Sequence, residues 1–180
     1  MYKLLFIVDG YHWALANRAN SLARRMSNCG IHIRHFKHLG KINFNDLDAI
    51  NKLEKSIFLN FWSLEIIKSQ IKHPESINLL LAKEMQILGY LFTRKYIDFV
   101  EIERIGVLSN KRRNYVGEEL IKKLEVIVAL EGIKKITLEV REDNHSAISL
   151  YKKLGFNKDS IRKDYYQDKE NAILMSKILG

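Results

Sequence analysis

The segment running from Ile97 to Val140 restricts the fold more than any other part of the chain. Residues 97–107 alternate as a strand, and Val116–Leu130 then places Val116, Leu120, Leu124, Ile127 and Val128 on one helical face, with Gly132 behind it as a stop. A second apolar strand follows at Lys135–Val140. A strand, a helix and a strand joined this way predict a parallel strand pair with a right-handed crossover, which puts the chain in the α/β class. The link before the helix, GVLSNKRRNYVGEEL at 106–120, carries Lys111, Arg112 and Arg113 just ahead of the helix N-terminus. Unpaired backbone N–H groups and the positive end of the helix dipole favour an anion there, and the added side-chain charge suits a pyrophosphate. A solvated basic loop is the plainer reading of the same residues.

The remaining elements arrange themselves around this crossover. Ile77–Lys83, Gln86–Arg94 and Ile97–Val107 read as three consecutive strands of an antiparallel meander, turning at Glu84-Met85 and near Lys95-Tyr96. Upstream, Asn45-Asp46 opens a helix whose buried face is Leu47, Ile50 and Leu53, and Trp62-Ser63 opens another carrying Ile66, Ile67 and Ile71 to the sole proline, Pro74. Downstream come a helix at Ser146–Leu154, stopped by Gly155, and a last strand at Ala172–Ile178. The first residues read as a strand at Tyr2–Val8, a helix at Trp13–Met26 and a strand-like alternation at 31–36. No internal repeat or low-complexity tract interrupts the pattern.

Length and composition set outer limits. The 180 residues fit one ordinary domain with a substantial core, 47% hydrophobic and 28% charged, and no run approaches the ~18 uninterrupted apolar residues of a membrane span. One cysteine, Cys29, cannot form an internal disulfide, so a cytoplasmic location is expected. The formal charge of +9 calls for an acidic partner, either nucleic acid or a phosphate-rich cofactor. It is uneven: residues 1–40 hold six Lys/Arg against one Asp, so most of the chain is only mildly basic and nucleic acid is the weaker expectation. His32, His35 and His38 are three apart but lack carboxylate or cysteine partners, so no metal is expected.

Two motifs carry a resemblance to a family. The link at 112–117 resembles the acetyl-CoA pyrophosphate loop of the GNAT acyltransferase superfamily, R/Q-x-x-G-x-G/A, with Arg112 first and Gly117 last. The stretch VREDNHSAISLYKKLGF, 140–156, resembles its second block, N-x-x-A-x-x-L-Y-x-x-x-G-F, through Asn144, Ala147, Leu150, Tyr151, Gly155 and Phe156. Tyr115 departs from the pattern where the first glycine should stand, and the loop reads as altered but functional because Arg112, Arg113, Val116 and Gly117 remain. Within the superfamily the likeness is to the ribosomal-protein-alanine N-acetyltransferases, the RimI type. It rests on Leu138–Ala147 and on a tail with Arg162, Tyr165, Tyr166, Glu170, Asn171, Ala172 and Met175, where Asn171 replaces the usual aspartate. Residues 31–180 would form this domain. Residues 1–30 resemble, weakly, the opening βα unit of Rossmann-type nucleotide-sugar glycosyltransferases and stand as an extension without an assigned role.

The resemblance implies an acyl-CoA N-acyltransferase fold, a mixed sheet with a splayed strand pair flanked by helices, and acetyl-CoA as co-substrate. It implies that Glu139 is the general base and Tyr151 the general acid. Ile105, Val107, Arg112, Arg113, Tyr115, Val116, Gly117, Asn144 and Tyr151 would hold the cofactor. Phe61, Trp62, Tyr165 and Tyr166 would line a groove for the N-terminal peptide of a protein substrate, a ribosomal protein among the candidates. A protein α-amine, with a pKa near 7.7–8.0 against ~10.4 for lysine, is neutral at pH 7 far more often, so a modest base suffices. Two other functions stay open on the sequence: acetylation of a small amine or amino sugar, and a non-catalytic CoA-binding or interaction protein in which Tyr115 blocks the loop. Asn144 has an equally good reading as a plain helix N-cap.

Overall fold

The computed structural model describes residues 37–83 and 86–180. The expected elements at 2–8, 13–26 and 31–36, and the turn at 84–85, lie outside the described residues. Among the described residues, seven strands form one sheet: β1 (Lys37–Lys41), β2 (Leu79–Lys83), β3 (Gln86–Lys95), β4 (Val100–Val107), β5 (Lys135–Arg141), β6 (Asn157–Arg162) and β7 (Ala172–Ile178). Their spatial order is β1-β2-β3-β4-β5-β7-β6. Every pairing is antiparallel except β4 with β5, the pair joined through the helix at 116–130.

The helices are α1 (Leu47–Ile57), α2 (Leu64–Lys72), α3 (Val116–Leu130) and α4 (His145–Lys153). They divide between the two faces of the sheet. Helices α3 and α4 cover one face, where Leu120, Ile121, Leu124, Val128, Tyr151 and Leu154 pack on Leu91, Val100, Ile102, Ile136 and Leu138. Helices α1 and α2 cover the other, with Ile50, Leu53 and Ile67 against Leu80, Tyr90 and Phe92. Side-chain caps fix three starts. Asn43 and Asp46 form a reciprocal capping box ahead of α1, Ser63 accepts from the Ile66 N–H at α2, and Asn144 accepts from the Ala147 N–H at 3.2 Å. Gly132 (φ 77°) and Gly155 (φ 87°) end α3 and α4 in the left-handed conformation.

Strand β4 contains the feature on which the site depends. Phe92 pairs with Arg104 and Thr93 with Ile102, so Glu103 is an extra residue without a partner of its own in β3. Val100 and Ile102 face α3 before this bulge, and Ile105 and Val107 face it afterwards. A bulge bends a strand and sharpens its twist. Beside it the parallel pairing of β4 and β5 stops: Val100–Ile136, Glu101–Thr137 and Ile102–Leu138 are the only three steps, although β4 runs on to Val107 and β5 to Arg141.

Two readings need correction and two features went unread. β6 was not foreseen, because all six of its residues are exposed and an outer strand of NKDSIR shows no apolar alternation. β4 begins at Val100 and not at Ile97, since 96–99 is a turn in which the Tyr96 N–H donates to the Phe99 carbonyl at 2.8 Å and the two rings stack. Ile66 is exposed, and α2 instead buries Ile67 and Gln70. Glu54, which the apolar pattern of α1 passes over, is more deeply buried than Leu53.

Candidate active site

Where β4 and β5 part, the sheet opens a cleft walled by the end of β4 on one side and by β5 on the other. Among the described residues, 103–107 of β4 have no strand partner on the β5 side, which leaves backbone groups near Ile105 and Val107 available to a guest. The floor is set by close approach of the two helices. A Cβ on Gly117 would stand 3.1 Å from Leu150 Cδ2 and 3.8 Å from Ile105 and Val107, so the glycine lets the start of α3 lie directly against α4 and β4. Gly89 does the same from β3, where a Cβ would meet Val116 Cγ1 at 2.7 Å.

Among the described residues no side chain caps α3, which leaves its first-turn N–H groups open to an anionic ligand. Arg113 (φ 61°) and Tyr115 (φ 63°) both take the left-handed conformation in the loop leading into it. That is the conformation for which glycine is suited, so Tyr115 occupies the expected glycine's backbone shape at an energetic cost. Its ring does not fill the cleft: Tyr115 is 66% exposed and lies 5.2 Å from Lys153 Nζ on α4. Arg112 and Arg113 are exposed and make no ion pair among the described residues. Glu118, in the first turn, is already matched by Lys122 at 2.8 Å and Lys153 at 2.5 Å, which hold its carboxyl below the usual range. The loop thus offers two guanidinium groups without an ion pair among the described residues and open helix-start amides, a set that fits a diphosphate. Asn144 is confirmed as the α4 cap through its side-chain oxygen, which leaves its amide N–H groups directed elsewhere.

The expected acid and base occupy opposite faces of the sheet near the parting. Tyr151 belongs to the α3–α4 face, only 4% exposed, with its ring 5.8 Å from Phe156. Burial, and then the nearby Tyr166, push its phenol well up, so it stays protonated through the neutral range. The side-chain atoms both sealed from solvent and unpaired, among the described residues, are Asp46 Oδ1, Asn51 Oδ1, Ser76 Oγ and Glu103 Oε2; the Tyr151 hydroxyl is not one of them. Glu139 lies one step past the last β4–β5 pair, on the face away from α3, and its carboxylate meets Arg162 Nη1 at 2.7 Å. It also pushes the Tyr165 phenol up by accepting from it. Tyr165 and Tyr166 sit edge-to-face at 5.2 Å, braced by Arg162 and by Arg141 respectively. The structure therefore gathers Glu139, Tyr165 and Tyr166, with Tyr151 within electrostatic reach of Tyr166.

The expected pair on the other wall divides. Phe61 is 48% exposed at the tip of the α1–α2 loop, whereas Trp62 turns inward, 5.6 Å from the Phe92 ring. Three neighbours of the site went unassigned in the sequence. Arg162 was visible only as a motif letter before Tyr165-Tyr166, yet it is the partner of Glu139. Glu101, beside the parting, has its carboxyl raised by burial, then by Glu139 and Glu103. Arg104 pairs with Glu54 across fifty residues of chain, a separation at which one sequence gives no signal.

Comparisons with known proteins agree with this geometry. The acetyltransferase (GNAT) family pattern matches residues 47–156. The chain is 31% identical over 142 residues to the [ribosomal protein bS18]-alanine N-acetyltransferase of Haemophilus influenzae, covering 77% of this chain and 96% of that one. It is 29% identical over 136 residues to a putative enzyme of the same name from Bacillus subtilis, covering 74% and 90%. Among solved structures, the ribosomal-protein-S18-alanine N-acetyltransferase from Escherichia coli superposes with a TM-score of 0.76 at 27% identity, over 81% of this chain and 95% of that one. A mixed sheet parted beside a bulged strand, with an open helix start at the mouth of the gap, is thus the setting of a known chemistry, and the chain belongs to the acetyltransferase (GNAT) family as an acetyl-CoA-dependent N-acetyltransferase.

Proposed function

We propose that the acceptor is the α-amino group at the N-terminus of a protein, a ribosomal protein being the favoured class. The observation that carries this reading is the position of Glu139, on the face of the parted sheet where Tyr165 and Tyr166 form an aromatic lip. The names of the curated relatives, alanine N-acetyltransferases of ribosomal protein bS18, support the same acceptor class.

In this reading Arg112, Arg113 and the amides of Val116 and Gly117 hold the diphosphate, with Tyr115 at the loop's outer edge. Ile105, Val107 and Asn144 address the pantetheine arm. Acetyl-CoA supplies an activated acyl group as a thioester. Glu139 takes the proton lost by the incoming ammonium, directly or through one water. Backbone N–H groups of β4 near Ile105–Val107 stabilise the negative charge that gathers on the carbonyl oxygen during attack. Tyr151, kept protonated by its burial, delivers a proton to the departing sulfur. Nitrogen gains the acetyl group, the carbon–sulfur bond breaks, and a free thiol leaves. Phe61 bounds the peptide on the α1–α2 side, and Trp62, packed on Phe92, supports it from behind.

Thiol release tests the assignment. Acetyl-CoA and short peptides beginning with Ala, Ser or Met, each in free and Nα-blocked form, should give thiol only with the free peptides, and mass spectrometry should place the acetyl group on the first residue. Release with none of them, or acetylation at lysine in preference to the α-amine, would remove the proposal.

A further inference from the structure

We infer that Arg104 is a positioning residue that clamps the loop between α1 and α2 onto β4 and thereby sets the affinity for the acceptor peptide. The inference rests on the function proposed above. Arg104 follows the bulge residue Glu103 and precedes Ile105, so its backbone belongs to the cleft wall while its side chain crosses to the opposite face of the sheet. Nε donates to Glu54 Oε1 at 3.0 Å, and Nη2 donates both to the same oxygen and to the Asn60 carbonyl, the latter at 2.9 Å. The guanidinium plane lies 3.6 Å over the Phe58 ring and 5.3 Å from that of Trp62. Glu54 completes the clamp: Oε1 also accepts the Trp62 N–H at 2.9 Å, and Oε2 accepts the Tyr90 hydroxyl.

The contacts fall on alternate residues of the loop. Phe58, Asn60 and Trp62 are drawn toward Arg104 and Glu54, and the two residues between them are turned out. Leu59 is 100% exposed and Phe61 48% exposed. A chain left to itself would not hold two large apolar side chains in water on a six-residue connection. The clamp holds them there, as a preformed lip on the side of the sheet that carries Glu139. Rigidifying a binding loop improves affinity by removing the ordering cost from the binding step. Because the guanidinium is engaged by Glu54, Asn60 and Phe58 and by no residue assigned to the chemistry, its loss should reach the acceptor and spare the chemistry.

Burying Glu54 without its partner would endanger folding, so two full-length variants serve the test. Arg104→Lys keeps a cation but loses the fork to Asn60 and the stacking on Phe58. The double variant Arg104→Met with Glu54→Gln removes both charges together. Steady-state kinetics with acetyl-CoA and an acceptor peptide should show the peptide KM raised roughly tenfold in both, about 1.4 kcal/mol. The acetyl-CoA KM and kcat should stay within about twofold of the original. Hydrogen exchange should quicken at 58–63, the Trp62 amide most of all, and remain as before at 105–117. An unchanged peptide KM in an active enzyme, or equal losses for both substrates, overturns the inference and leaves the proposed function standing. An unmodified protein that acetylates no peptide overturns the function itself.

Discussion

On the cofactor side of the parted sheet, α3 and α4 reach β4 through hydrocarbon, with Gly89 and Gly117 supplying the closeness. On the acceptor side, the segments at 58–63 and 163–170 are held to the sheet with the help of polar ties as well: Arg104 to the Asn60 carbonyl and to Glu54, which accepts the Trp62 N–H, and Arg141 to Asp168. The two constructions fail differently. Close apolar packing is indifferent to pH and salt but rejects an added methyl group. A polar network tolerates changes of shape but loses its worth when one partner is removed.

The largest expected effect falls on the seam between the sides. Tyr151→Phe should lower kcat about 10²-fold or more, as loss of a general acid does, while acetyl-CoA affinity and melting temperature remain near their original values. Equal kcat in the variant would place the proton donor elsewhere. Next comes Gly89→Ala, whose methyl group would meet Val116 at 2.7 Å and the Gly106 carbonyl at 2.9 Å. It should cost about 1–3 kcal/mol in chemical denaturation and weaken acetyl-CoA binding in calorimetry, with the peptide KM hardly altered.

Asn171→Asp probes the acceptor side. The Asn171 amide donates to Glu142 at 2.7 Å while its oxygen accepts from the Asp164 N–H, so it ties the Tyr165-Tyr166 segment to the end of β5. A carboxylate there would repel Glu142. A loss of about 1 kcal/mol at pH 7 is expected, recovering toward pH 4 as the pair takes up a proton, together with a raised peptide KM and an unaltered acetyl-CoA KM. Tyr115→Gly should act in the other direction and on the other side: relief of a left-handed tyrosine should stabilise the protein by about 1 kcal/mol, visible as a higher melting temperature, with acetyl-CoA affinity at least maintained.

The smallest effect is a pH dependence. Glu101 has a raised pKa in the folded protein, from burial first and then from Glu139 and Glu103. The folded state therefore holds this proton more tightly than the unfolded chain. Its contribution to stability is greatest in acid and declines as pH rises from the ordinary glutamate value to the raised one, then stays level. Glu101→Gln should accordingly gain in melting temperature relative to the original protein at pH 7 and show little gain at pH 4.

The same division decided what the sequence disclosed. The cofactor side is built from local elements with short-range rules, so the helix at Val116–Leu130 and the strand at Ala172–Ile178 matched to the residue, and Gly117 and Asn144 stood at fixed spacing. The acceptor side is assembled from distant residues. Trp62 was expected at the groove surface but its ring is taken up by Phe92 and Arg104, and the buried Glu54 falls outside the apolar pattern of α1. β6 escaped because an exposed outer strand buries nothing that a periodicity could reveal.

The unpaired Glu103 also fixes the phase of its strand. Upstream the even-numbered positions meet α3, and downstream the odd-numbered ones do. Deleting any one residue between Val100 and Glu103 would not simply shorten the edge of the cleft. It would remove the bulge and restore plain alternation, keeping Arg104 opposite Phe92 and Ile105 against α3 but taking away the bend beside which the β4–β5 pairing stops. The bend at the parting of the two walls is thus the work of a single supernumerary amino acid.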